Sequence, residues 1–161
     1  MSDNLATYVR DHLGGAKIAI QVLEAMRDQH DDQKFRKFAE GLLQEVEADD
    51  HKLRSIAEKI GSGPSVAKQA GGWLLEKLAR LKLGHTGSTN FEMFESLELL
   101  ALGIHGKLCL WEALKSASKF DPRLREYNFE ELISRAQQQY EKVESERLEL
   151  AKTVLPQSSP K

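Results

Sequence analysis

Apolar residues recur along this chain at the three- and four-residue spacing of a helix, and nowhere do they alternate as in a strand. Leu5, Val9, Ala16, Ile20 and Leu23 predict a first helix from about Asn4 to Gln29. Phe35, Phe38, Leu42, Val46, Leu53, Ile56 and Ile60 predict a second, from Gln33 to Ile60. A shorter pattern, with Ala70, Trp73, Leu74, Leu78 and Leu81 on one side, runs from Ser65 to Leu83. The most apolar stripe is Phe94, Leu97, Leu100, Ala101, Ile104, Leu108, Trp111 and Leu114, in a long helix from Asn90 to Ser118. Ile133, Ala136, Tyr140, Val143, Leu150 and Val154 mark a last one, from Phe129 to Leu155.

The punctuation between these patterns is clear. Ser2 or Asp3 can cap the first helix. His30-Asp31-Asp32 makes a turn, Gly61-Ser62-Gly63-Pro64-Ser65 stops the second helix, and Gly84 to Thr89 reads as a loop. Phe120-Asp121-Pro122-Arg123 begins the last connection. Gly14-Gly15 falls inside a helix, where each glycine costs about 1 kcal/mol relative to alanine. A close neighbour, helix or ligand, would account for the pair.

Four long helices joined by short turns predict an all-α four-helix bundle. The Ser65–Leu83 helix would span roughly 28 Å at 1.5 Å per residue. It can carry the chain back along the bundle, leaving helices two and three parallel in an up-down-down-up arrangement with a crossover helix. Residues 1–155 form one domain in this reading, and 156–161 a disordered tail.

Composition narrows the function. The chain has 161 residues, 23 basic against 25 acidic, and a formal net charge of −2. Nothing here supplies the basic excess of a nucleic-acid binder. No apolar run is long enough to span a membrane, and Met1-Ser2-Asp3-Asn4 has no signal-peptide character, so a cytoplasmic location is expected. Cys109 is the one cysteine, which excludes an intramolecular disulfide and a cysteine-based zinc site. Between Leu108 and Leu110 it is expected to be buried. No nucleophile elbow, P-loop or dinucleotide fingerprint is present.

Two helical hairpins joined by a long crossover resemble the ferritin-like superfamily. That family's di-iron site takes a Glu from each of two helices and a Glu-x-x-His from each of the others. Here helix two reads Glu47-Ala48-Asp49-Asp50-His51, with Glu and His four apart, and helix four has no histidine between Glu141 and Glu149. The resemblance therefore implies a bundle whose metal motif is degenerate.

Helical spacing then sorts the polar residues. His51 falls with Glu47, Ser55 and Glu58 on the solvent side. Asp49 lies between Val46 and Leu53 on the inner stripe, with Glu45 beside Leu42 one turn earlier. His12 lies between Val9 and Ala16, and His105 between Ala101 and Leu108. Counting from the two hairpin turns puts His12, Asp49, His105 and Gln139 or Tyr140 at one level. One reading is a hydrogen-bonded polar layer. The other is a metal site of His12, Glu45, Asp49 and His105 for a divalent ion such as Fe, Mn or Zn.

Three functions follow as expectations. The first is a non-catalytic structural or interaction module, as a homodimer. The second is a metal-dependent (iron or manganese) oxidoreductase or metal-binding protein. The third is a lipid- or partner-binding module that uses the basic amphipathic crossover, where Lys77, Arg80 and Lys82 flank Trp73, Leu74, Leu78 and Leu81.

Overall fold

The computed structural model describes residues 3–62 and 89–156, and within them the chain is all-helical. Four long helices appear: α1 (Asn4–Gln29), α2 (Gln33–Ile60), α3 (Thr89–Ala117) and α4 (Phe129–Val154). A short 3-10 helix, Pro122–Leu124, lies between the last two. The expected crossover helix with Trp73, and the tail beyond Pro156, fall outside the described residues.

Local chemistry sets these boundaries. Asp3 caps α1 by accepting hydrogen bonds from the Leu5 and Ala6 amides at 3.0 and 3.3 Å. Asp32 does the same for α2, taking the Lys34 amide at 2.7 Å. Gly61 ends α2 in the left-handed region, at φ 73°, which a Cβ would strain. Its amide and that of Ser62 then reach back to the Glu58 and Ala57 carbonyls, at 3.1 and 2.9 Å. Asn128 caps α4 through the Glu131 amide.

The helices pair as two hairpins, α1 with α2 and α3 with α4, and α1 also packs along α3. Two apolar clusters fill the interior. The first joins Val22, Leu23 and Met26 of α1 to Phe35, Leu42 and Val46 of α2, Met93, Leu97 and Ile104 of α3, and Val143 of α4. The second joins Val9 and Leu13 to Leu53, Ile56 and Ile60, then to Leu110, Trp111, Leu114, Leu132 and Ala136. Each fully buried leucine contributes about 1.5–3 kcal/mol by leaving water.

One end of the molecule is tied by Arg123. Its guanidinium donates to the Asp3 and Asp121 carboxylates and to the Ile60 carbonyl, the last at 3.2 Å. Nearby, the Ser62 hydroxyl donates to the Ala6 carbonyl at 2.9 Å. Between α2 and α4, the pairs Lys34–Glu146 and Lys142–Glu45 lie at 3.0 and 2.5 Å.

Cys109 is exposed, not buried as its leucine neighbours suggested. It lies two residues past Lys107 and one before Leu110, so its Cβ leaves the inner stripe as α3 turns. No helix among the described residues is long and apolar enough to cross a membrane.

Candidate functional site

The two apolar clusters stop short of one another, and a polar layer lies between them. On α2 the sequence passes from Val46 through Asp49 to Leu53. On α3 it passes from Ile104 through Lys107 to Leu110, and on α4 from Ala136 through Gln139 to Val143. Asp49, only 2% exposed, is the centre of this layer.

Three donors converge on the Asp49 carboxylate. The Lys107 ammonium reaches Oδ2 at 2.5 Å and the Gln139 amide nitrogen reaches the same oxygen at 3.1 Å. The Arg135 guanidinium takes Oδ1. Lys107 also donates to the Gln139 amide oxygen, which closes a ring of three residues from three helices. A carboxylate this deep would be untenable without such partners.

Burial pushes the Lys107 amine below its usual range, against the opposing pull of the Asp49 charge; Arg135 pushes it the same way as burial. The layer holds one carboxylate against two cations. Arg135 keeps partial contact with water, with 30% of its side chain exposed.

The four residues expected to form a metal site are not gathered as one set, although His12 and Asp49 line the same cavity. Asp49 is committed to cationic and amide donors. Glu45 turns outward and pairs with Lys142 at 2.5 Å. His105 is exposed and lies against Tyr140, ring centroids 6.0 Å apart. Its level beside Tyr140 agrees with the counted heights, but its rotation does not: one residue past Ile104, it falls at the edge of the stripe. His12 is half-buried, packs edge-on against Tyr8 at 4.7 Å, and has its pKa lowered by burial despite the Asp11 charge. Among the described residues no three His, Cys, Asp or Glu side chains are grouped as metal ligands. His51 is exposed, as its spacing predicted.

Sequence reasoning passed over Lys107 and Arg135. The signal for Lys107 was present: it lies three residues after Ile104 and four before Trp111, on the inner face of α3.

Helix α1 supplies no member of the ion-pair layer. On its side the layer borders a cavity of about 290 Å³. Ala16 and Ala19 of α1, Val46 and Leu53 of α2, and Ile104, Leu110 and Trp111 of α3 give it apolar walls. His12, Asp49, Asp50 and Lys107 add polar groups, and Gly15, Gly103 and Gly106 complete the lining. A Cβ placed on any of these three glycines would meet no described atom within 4 Å. Close packing against the described helices therefore does not explain Gly15.

The chain matches no family model, no curated protein and no solved structure.

Proposed function

We propose that this chain is a ferritin-like helical bundle acting as a non-catalytic structural or interaction module. An internal ion-pair layer replaces the metal centre of such a bundle. The observation that carries the reading is the Lys107 ammonium, 2.5 Å from the Asp49 carboxylate. Lys107 and Arg135 bring to the bundle's midpoint the positive charge that a bound cation would supply, and they occupy the carboxylate lone pairs a metal would need.

The up-down-down-up topology is part of this proposal. Met93 and Leu97, early in α3, share a cluster with the last turns of α1 and the first turns of α2. Leu114, late in α3, shares the other cluster with Val9 and Ile60. This supports parallel α2 and α3, with the chain between them returning along the bundle. A two-fold homodimer is the proposed assembly. Leu102 and Phe120, 59% and 86% exposed, offer apolar surface for it.

The test is metal analysis of protein purified without chelators, with melting curves before and after chelation. The expected result is substoichiometric metal and no shift in Tm. Stoichiometric iron, manganese or zinc, lost in Asp49→Asn, would overturn the proposal and restore the oxidoreductase reading. Sedimentation at micromolar concentration checks the dimer.

A further inference from the structure

We propose that the cavity between α1, α2 and α3 is a binding site for a small aromatic molecule bearing one head group that both donates and accepts a hydrogen bond. This inference does not depend on the proposed module function: Asp49 and Lys107 line the same cavity, but the two atoms that define the head group lie outside the ion-pair layer.

Volume sets the size class. At about 290 Å³ the cavity is roughly twice the ~150 Å³ that suffices for a benzene molecule. A bicyclic aromatic ring system fits that room. Besides His12, Asp49, Asp50 and Lys107, the walls are aliphatic side chains and the Trp111 indole, which suit a flat apolar ring.

Two buried polar atoms specify the head group. Trp111 is 0% exposed, yet its indole N–H has no hydrogen-bond partner among the described residues. Asp50 is 7% exposed; one carboxylate oxygen takes the Arg54 guanidinium at 2.7 Å, and the other has no partner among the described residues. Both residues line this cavity. A buried donor or acceptor left unpaired costs about 1–3 kcal/mol. A single hydroxyl placed between them would meet both needs, accepting from Trp111 and donating to Asp50. An aliphatic or purely apolar guest would leave both unpaired.

The glycines point the same way. Gly15, Gly103 and Gly106 weaken two helices, and a Cβ on any of them would meet open space. Their effect is to widen the cavity at the seam of α1 and α3.

The experiment titrates the full chain with 2-naphthol, 2-methoxynaphthalene and naphthalene, by calorimetry and by the Trp111 indole N–H signal in NMR. Wild type should bind 2-naphthol at one site per chain and shift that signal. Methylating the hydroxyl removes the donor for Asp50 and should weaken binding about tenfold, the equivalent of one hydrogen bond at 1.4 kcal/mol. Trp111→Phe should weaken 2-naphthol by a similar factor and leave naphthalene unchanged, which also shows that the variant still folds around the cavity. Gly106→Leu fills the space and should abolish binding of all three, with helicity and cooperative melting retained; Gly15→Leu serves if that variant fails to fold. The proposal is overturned if 2-naphthol shows no saturable binding. It is equally overturned if Gly106→Leu binds as wild type does, or if neither Trp111→Phe nor methylation separates 2-naphthol from naphthalene.

Discussion

The Lys107 ammonium and the Asp49 carboxylate meet 2.5 Å apart, one from each hairpin, at the level that divides the apolar interior in two. Removing either partner has unequal consequences. Asp49→Asn leaves Lys107 and Arg135 facing each other without a counter-charge, and unfolding free energy should fall by about 3–5 kcal/mol. Lys107→Met leaves the carboxylate with Arg135 and Gln139, and the loss should be smaller, about 1–3 kcal/mol. Urea denaturation of both variants gives the comparison; equal losses would mean that the layer is not organised around Asp49.

His12 should make the fold acid-sensitive. Its imidazole is held below its ordinary value of 6.5, chiefly by burial, so folding favours the neutral ring. Stability is undiminished above the unfolded value and falls as pH drops from there through the lower folded one. Melting curves between about pH 7.5 and pH 5 should show this decline, and His12→Gln should flatten that part of it.

Gly14 sits inside α1 with no described atom within 4 Å of where a Cβ would stand. Gly14→Ala should therefore stabilise the protein by about 0.5–1 kcal/mol through helix propensity alone. For a chain of this length, that raises Tm by roughly 1–4 °C. A destabilised variant would reveal a contact at Gly14 outside the described residues.

Cys109 is exposed and should be open to reagents in the native state. A thiol reagent should label one group per chain without denaturant, at the rate of an accessible thiol. Labelling that requires urea would return Cys109 to the interior.

The helices were legible because strong local signals bound them. Asp3, Asp32, Gly61 and Asn128 each occupy the end position their chemistry favours, so α1 and α2 have the bounds read from sequence, and α3 and α4 differ by one residue. Asp49 was legible because a carboxylate between Val46 and Leu53 has nowhere to go but inward. Its partners were not. A lysine at an inner position is ordinarily discounted, since its long chain can carry the charge outward. Lys107 stays in because Asp49 and Gln139 both accept hydrogen bonds from its ammonium. His105 failed for a geometric reason: counting along helices fixes height to within a turn, whereas a single residue rotates a side chain by about 100°. The cavity left only the trace of the Gly14-Gly15 pair, because empty volume depends on how three helices meet.

Arg123, which joins Asp3, Asp121 and the Ile60 carbonyl, lies well away from Asp49 along the bundle. Eleven residues of α2 separate Asp49 from Ile60, roughly 16 Å of helix. These two fastenings between the hairpins thus lie at different heights, with the surface pairs Lys34–Glu146 and Lys142–Glu45 beside them. A rod pinned once can pivot, but a rod pinned twice can neither pivot nor slide. A shift of one hairpin past the other by a single turn would have to break both fastenings together, so the alignment of the halves is all-or-none.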